Sequence, residues 1–144
     1  MVEINKVNTF ADLALLLDRV LDAEMEYAKK YPTGLSKLST VEHIIRVFSL
    51  DKSYCWGELY PDGELKFFAL VELKKDNTCF WHVLHSHPRF RYRTKDIVNQ
   101  IFTWLKSKGV LEVYSATRRV TPSYKRWMAS LGCYPIEITY KRKL

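Results

Sequence analysis

A turn rich in arginine lies near the middle of the chain, after an apolar run and before a segment with helical periodicity. Positive charges recur at every second position of this turn: Arg89, Arg91, Arg93 and Lys95. Guanidinium groups form charge-assisted hydrogen bonds with phosphate and carboxylate oxygens. The residue types and their spacing therefore predict a site for an anion. The alternative is a solvated basic loop that contacts nothing specific.

Three histidines just before the turn are the other residues here that could do chemistry: His82, His85 and His87. An imidazole titrates near neutral pH, so it can act as a general base or bind a metal. A metal site requires a further ligand nearby, which this run does not supply, so no metal is predicted. A general base is one interpretation, and a structural or exposed role for each histidine is the alternative.

The segments around the turn predict a strand that leads directly into a helix. The nearly continuous apolar run before the turn consists of Phe80, Trp81, Val83 and Leu84. Such a run is typical of a strand buried on both faces. After Pro88 the apolar residues recur at the spacing of one helical face, and Gly109 provides the stop. They are Ile97, Val98, Ile101, Phe102 and Leu105. The free amides at the start of such a helix favour an anion above the turn.

The rest of the chain predicts an α/β fold with a mixed sheet. Asn8 or Thr9 is placed to cap a first helix. Ser39 and Glu42 have the spacing of a capping box for a second helix. The Pro-Asp-Gly sequence at residues 61–63 predicts a hairpin, and the strand after the arginine turn and its helix should run parallel to the strand before them. Outside the strand, turn and helix around the arginines, the predicted strands are at 2–7, 54–60, 65–73, 110–115 and 134–140. The predicted helices run from 10 to about 30, from the capping box at 39 through 47, and from 122 to 131.

Length and composition are consistent with one domain spanning residues 1–144. The chain is 47% hydrophobic, which suffices for an ordinary core at this length. Its three cysteines are an odd number without CxxC spacing, which favours buried thiols and a cytoplasmic setting over disulfides or zinc. We find no signal peptide, and the longest apolar run is far shorter than the ~20 residues of a membrane helix.

The net charge of +7 is unevenly distributed along the chain. Residues 1–80 contain 10 Lys/Arg and 13 Asp/Glu, whereas residues 81–144 contain 13 and 3. A strongly basic half attracts polyanions, so the charge predicts a nucleic acid, a phosphorylated cofactor or an acidic protein as partner. Charge alone does not choose among these three.

The predicted order of elements resembles that of the GNAT (N-acetyltransferase) superfamily over nearly the whole chain: strand, two helices, three strands, helix, strand, helix, strand. Members of that family bind the acetyl-CoA pyrophosphate with a motif of Arg or Gln, two residues, Gly, one residue, then Gly or Ala. The matching run is residues 89–94, in which Arg89 fits and Tyr92 and Thr94 take the glycine positions. The resemblance implies that the backbone near Leu84 and Ser86 holds the pantetheine arm. It also implies pyrophosphate contacts from Arg89, Arg91, Tyr92, Arg93 and Thr94.

The end of the chain carries a second, partial match to the family. Leu131-Gly132-Cys133-Tyr134 is similar to the family's Leu-Gly-Phe signature, and Thr121 stands where the family often has Asn. Met128 stands where a catalytic Tyr often lies, and only 12 residues follow Gly132. The resemblance leaves His85 and Tyr124 as candidates for proton handling.

Three functions remain open at this point. The first is an acetyl-CoA-dependent N-acyltransferase acting on an amine, with activity weakened or lost because the cofactor motif is eroded. The second is a non-catalytic GNAT-like protein with assembly partners, similar to small internal virion proteins of tailed phages, which would place it within a virion. The third is a basic module that contacts nucleic acid through the arginine turn and the Lys141-Arg142-Lys143 tail.

Overall fold

Four strands form the central sheet of the part of the chain that the structure describes. The computed structural model describes residues 1–32, 34–119, 121–137 and 141–143. The strands are β1 (Ser53–Leu59), β2 (Leu65–Leu73), β3 (Thr78–Ser86) and β4 (Glu112–Ser115), in the spatial order β1-β2-β3-β4. The pairs β1/β2 and β2/β3 are antiparallel, and the pair β3/β4 is parallel. The predicted α/β fold with a mixed sheet is confirmed.

Helices cover both faces of this sheet. Helices α1 (Phe10–Lys30) and α2 (Lys37–Phe48) pack on one face, and α3 (Arg91–Ser107) packs on the other. A short 3-10 turn at Pro88–Phe90 connects β3 to α3, and Gly109 ends α3 with a left-handed φ of +88°. Helix α4 (Pro122–Ser130) follows β4, and Thr121 caps its N-terminus.

Side-chain caps set the starts of α1 and α2. Thr9 Oγ1 accepts a hydrogen bond from the amide of Asp12 at 3.1 Å, so Thr9 caps α1 as one of the two predicted residues. Ser36 Oγ accepts from the amide of Ser39 at 3.1 Å, and α2 therefore begins at Lys37. The predicted capping box at Ser39 was wrong, because the serine three residues earlier already supplies the cap.

Both interior strands of the sheet bury residues on both faces, β2 more completely than β3. In β2, Phe67 and Phe68 are both fully buried, the first against the α3 side of the sheet and the second against the α1/α2 side. In β3, Trp81 is buried on the α3 side and Val83 on the α1/α2 side, whereas Phe80 and Leu84 are half-buried. The predicted two-sided burial of β3 is therefore confirmed in part, because the short β4 covers β3 only over its first half.

A bulge interrupts β3 at His82. Val83 pairs with Leu70 and Trp81 pairs with Val71, so His82 is an extra residue without an opposite partner on β2. An extra residue shifts the alternation of a strand by one position. Trp81 accordingly packs on the α3 side, whereas Val83 packs on the α1/α2 side.

The two predicted outer strands differ from the structure. Residues 2–7 lie beside β1 and form a single bridge, between Lys6 and Trp56, in place of the predicted strand. Residues 134–137 form no strand, and the rest of the predicted last strand, 138–140, lies outside the described residues. Among the described helices, none has the length and apolar character needed to cross a membrane.

Candidate functional site

β3 extends beyond the end of β4, which leaves an opening in the sheet. The last pair between these strands is Trp81 with Ser115, whereas β3 continues to Ser86, which pairs with Phe67 of β2. Within the described chain, residues 82–86 therefore have a strand partner on the β2 side alone. We call the gap between residues 82–86 and the loop at 116–119 the β3–β4 opening.

His85 lies on the part of β3 that borders the β3–β4 opening and is paired with Glu24 of α1. The His85 Nε2 to Glu24 Oε1 distance is 2.9 Å, and the two side chains are 16% and 23% exposed. An ionised carboxylate can only accept, so it holds the proton on Nε2 and leaves the lone pair of Nδ1 available. No described residue bonds to Nδ1 of His85. The arrangement suits a general base oriented by a carboxylate.

His82 is bonded through both ring nitrogens, which distinguishes it from His85. His82 Nε2 lies 2.8 Å from Glu72 Oε1, and His82 Nδ1 lies 3.2 Å from Nε2 of His43. Neither nitrogen of His82 is left to accept a proton from a substrate. Of the two, only His85 has a ring nitrogen to which no described residue bonds.

The predicted pantetheine-binding stretch ends at a contact with α3. Leu84 packs against the α3 side of the core. The Ser86 hydroxyl is hydrogen-bonded to the hydroxyl of Thr94, a residue only 6% exposed in the first turn of α3. Thr94 stands at one of the family's glycine positions, and its side chain turns inward to fasten the strand end to the helix.

Arg89 is engaged with the β1–β2 hairpin. Its guanidinium lies 2.9 Å from Asp62 Oδ2 and 3.0 Å from Glu64 Oε2, and it stacks 4.3 Å above the Tyr60 ring. His87 Nε2 lies 2.6 Å from the same Glu64 oxygen and accepts the amide of Arg89 on Nδ1. These contacts raise the pKa of Arg89, mainly through its hydrogen bond to Asp62. Arg89 holds the hairpin to the turn.

Arg93 is also paired with carboxylates, whereas two other cations of the turn are not. Arg93 bonds to Glu3 and, at 2.9 Å, to Asp96. Arg91 and Lys95 form no ion pair with any described residue. Tyr92, the second residue of α3, is 82% exposed.

The start of α3 offers fewer groups to a diphosphate than the sequence predicted. No side chain caps α3 at Phe90, but the 3-10 turn before the helix already uses amides there, because Phe90 N–H donates to His87 O and Arg91 N–H donates to Pro88 O. Arg91 and Lys95, which form no ion pair with any described residue, are the cations of the turn left for an anion, and the positive end of the helix dipole favours one there. Arg89, Arg93 and Thr94 serve contacts within the protein in this arrangement.

Tyr124 belongs to a group of aromatic residues on the other side of the opening. The hydroxyl of Tyr27 on α1 lies 3.5 Å from Thr117 Oγ1 in the loop after β4. Arg119 of the same loop stacks 4.8 Å above the Tyr124 ring and 5.6 Å above the Tyr31 ring. Burial raises the pKa of Tyr124, against a lowering by its hydrogen bond to Thr117. Tyr124 therefore keeps its proton at neutral pH.

Helix α1 connects the two sides of the β3–β4 opening. Glu24 reaches His85 on β3, and Tyr27, almost one turn later, reaches the loop after β4. Glu24 was not among the site residues predicted from the sequence. The polar face of a helix gives no signal of a pairing across 61 residues.

No protein-family model matches the sequence, and no curated protein matches it. Solved structures match over almost the whole chain. YycN from Bacillus subtilis, a candidate acetyltransferase, gives a TM-score of 0.68 at 10% identity and 98% coverage of both chains. The aminoglycoside acetyltransferase meta-AAC0020 from an uncultured soil metagenomic sample, in complex with sisomicin, gives 0.66 at 13% identity, covering 99% of this chain and 96% of that chain.

The aminoglycoside N-acetyltransferase AAC(6')-Iy was solved with the bisubstrate analogue CoA-S-monomethyl-acetylneamine. It matches with a TM-score of 0.65 at 16% identity, covering 100% of this chain and 99% of that chain. Identities this low show the fold and nothing finer. The chain therefore adopts the GNAT acetyltransferase fold, as the order of its elements predicted.

Proposed function

We propose that this protein is an acetyl-CoA-dependent N-acyltransferase that uses the β3–β4 opening, with His85 as general base. The observation that carries the proposal is the His85–Glu24 pair, which leaves Nδ1 of His85 unbonded on the stretch of β3 beyond β4. An amine substrate must lose a proton as it is acylated. A neutral imidazole near the opening is suited to accept it.

Each candidate residue has a separate role in the proposed acyl transfer. Acetyl-CoA supplies an acyl group activated as a thioester. His85 Nδ1 accepts the proton from the amine nitrogen as the new C–N bond forms and the C–S bond breaks, and Glu24 stabilises the resulting imidazolium. Tyr124, which keeps its proton at neutral pH, donates it to the departing sulfur. Both proton transfers are of the general acid–base kind.

Cofactor binding in this proposal rests on the start of α3. Arg91 and Lys95 would hold the phosphates at the positive end of the α3 dipole. Leu84 and Ser86 would border the pantetheine arm with their backbone along the open edge of β3. The neighbours AAC(6')-Iy and meta-AAC0020, whose structures contain a CoA-derived analogue and sisomicin, support this class of cofactor and of amine acceptor.

Calorimetric titration with acetyl-CoA, followed by a transfer assay, tests the proposal. We expect saturable binding of acetyl-CoA and release of free CoA thiol with at least one amine of a panel containing sisomicin, a polyamine and a peptide amine. His85→Ala should lower kcat at neutral pH by about 10²-fold or more while acetyl-CoA binding persists. Absence of heat and of a thermal shift at millimolar acetyl-CoA would exclude the proposal.

A second candidate is a non-catalytic member of the fold that acts in an assembly, the setting of the virion proteins considered above. It is favoured by the commitment of Arg89 and Arg93 to internal ion pairs, which removes two cations from the expected cofactor site. Stable co-purification with a large complex, without binding of acetyl-CoA, would select this candidate.

A further inference from the structure

A chain of hydrogen bonds connects α2 to the bulge of β3 and to β2. The Arg46 guanidinium lies 3.0 Å from His43 Nδ1, and His43 Nε2 lies 3.2 Å from His82 Nδ1. His82 Nε2 lies 2.8 Å from Glu72 Oε1, which also lies 3.1 Å from Lys74 Nζ. The side chains of His82 and Glu72 are 12% and 15% exposed, so this part of the hydrogen-bond chain is largely shielded from water.

The direction of every hydrogen bond in this hydrogen-bond chain is fixed by Arg46, its first residue. A guanidinium only donates, so His43 Nδ1 must accept from Arg46. A neutral His43 then carries its proton on Nε2 and donates to His82 Nδ1. His82 in turn carries its proton on Nε2 and donates to Glu72. One arrangement of protons satisfies all three bonds, and both imidazoles are neutral in it.

A proton added to either imidazole breaks the chain. A charged His43 would present an N–H to the Arg46 guanidinium, and a charged His82 would present an N–H to an N–H of His43. Burial is the main reason that the pKa of His43 is lowered, and repulsion from a protonated neighbouring imidazole and from the Arg46 guanidinium adds to the lowering. Glu24 of α1 and Glu72 of β2, which also face His43, act in the opposite direction.

The bulge held by this chain decides which way His85 faces. His82 is the extra residue of β3, and it makes Val83 and then His85 face α1 and α2. A strand without the bulge would turn His85 towards α3, away from Glu24, because successive residues alternate between faces. The conformation at His82 is therefore a condition for the His85–Glu24 pair.

We propose that Arg46, His43, His82 and Glu72 form a directed hydrogen-bond chain that is intact only while both imidazoles are neutral, and that His43 and His82 act as positioning residues for His85. The positioning role rests on the proposed acyl transfer. The hydrogen-bonding state of the two imidazoles does not, so it can be measured on the folded protein without a substrate.

Nitrogen NMR of the folded, ¹⁵N-histidine-labelled protein tests the chain itself. We expect both His43 and His82 as the Nε2–H tautomer at pH 8, with the protonation of one ring coupled to that of the other on acidification, because a charge on either ring disfavours a charge on its neighbour. Signals are assigned with single His→Gln variants. A Nδ1–H tautomer or a charged ring at either position at pH 8, or a His43 that titrates independently of His82, would overturn the proposal.

Two substitutions at His43 test the positioning role. The amide of Gln can accept from Arg46 and donate to His82, so His43→Gln should retain the chain without a titrating group, whereas His43→Leu cannot. We expect His43→Leu to lower kcat for acyl transfer by about tenfold or more, with KM for acetyl-CoA unchanged. His43→Gln should keep most of kcat and show a weaker loss of stability as the pH falls below about 6.5, the ordinary pKa of His.

The two readouts separate failure of this inference from failure of the proposed function. If the tautomers are as expected but no acyl transfer occurs, the hydrogen-bond chain is supported and the proposed enzymatic function is excluded. If acyl transfer occurs with equal kcat in His43→Leu and His43→Gln, the enzymatic function is supported and the positioning role is excluded. Far-UV circular dichroism and thermal unfolding of both variants establish that each is folded before kcat is compared.

Discussion

At the scale of single residues, the difference between His85 and His82 lies in what their second nitrogen contacts. Both are half-buried histidines of β3 with a carboxylate on Nε2. His82 has His43 on its other nitrogen, and His85 has no described partner there. The sequence placed three histidines in one run but could not rank them, because their partners come from α1, α2 and the β1–β2 hairpin. His85 was named as a candidate, and Glu24, which orients it, was not.

Replacement of Glu24 by Gln should separate orientation of His85 from folding. Gln retains a hydrogen-bonding group of the same shape but does not hold the proton on Nε2 or stabilise an imidazolium. We expect kcat for acyl transfer to fall by about 10²-fold or more, with acetyl-CoA affinity and the free energy of unfolding nearly unchanged. Steady-state kinetics and chemical denaturation measure these. Glu26→Gln, whose carboxylate pairs with exposed Lys29, is the matched control and should leave kcat unaltered.

The arginines of the turn also differ in their partners. Arg89 and Arg93 already pair with carboxylates, whereas Arg91 forms no ion pair with any described residue. Arg91→Ala should raise the Kd of acetyl-CoA by about 10- to 10²-fold, since a lost charge-assisted bond costs about 1.5–3 kcal/mol. Arg89→Ala should leave that Kd nearly unaltered and lower the free energy of unfolding only slightly, because its ion pairs are exposed. Calorimetric titration of both variants compares them. A larger loss of affinity for Arg89→Ala would show that its ion pairs open to bind phosphate.

At the scale of elements, the sequence predicted types better than boundaries. The helical period over residues 10–30 and the turn chemistry at residues 61–63 are local, and both elements are confirmed. The start of α2 was missed because Ser36 and Ser39 are both acceptable caps by sequence. The bulge at His82 was not predictable, since it is defined by the register against β2. The open edge of β3 likewise depends on where β4 ends.

The packing of α1 on the sheet depends on a glycine in β1. A Cβ at Gly57 would lie 2.8 Å from Leu16 Cδ1 and 3.1 Å from Phe68 Cδ2, both buried side chains. Gly57→Ala should therefore lower the free energy of unfolding by about 1–3 kcal/mol through overpacking. Urea denaturation measures the change. In a Leu16→Ala background the clashing methyl is gone, so the cost of Gly57→Ala should shrink. An equal cost in both backgrounds would place its origin elsewhere.

At the scale of the whole molecule, part of the charge asymmetry is neutralised internally. Among the described residues, acidic side chains of the first half form ion pairs with arginines of the second half in two places. These pairs are Asp62 and Glu64 with Arg89, and Glu3 with Arg93. Glu24 adds a hydrogen bond to His85. The basic half therefore fastens α1, the hairpin and the N-terminus to the end of β3 and the start of α3. The assignment of residues 1–144 to a single domain stays a prediction.

This internal pairing leads to a prediction about nucleic acid. The cations left without an ion pair among the described residues near α4 include Arg118, Lys125 and Arg126, which are exposed. We expect binding to duplex DNA no tighter than the ~10⁻⁴–10⁻⁶ M of non-specific contacts at physiological salt, weakening further as salt is raised. Fluorescence anisotropy measures it. The double variant Arg118→Ala/Arg126→Ala should weaken DNA binding and leave the Kd of acetyl-CoA unaltered. Nanomolar binding that persists in high salt would contradict this expectation and make nucleic acid the principal partner.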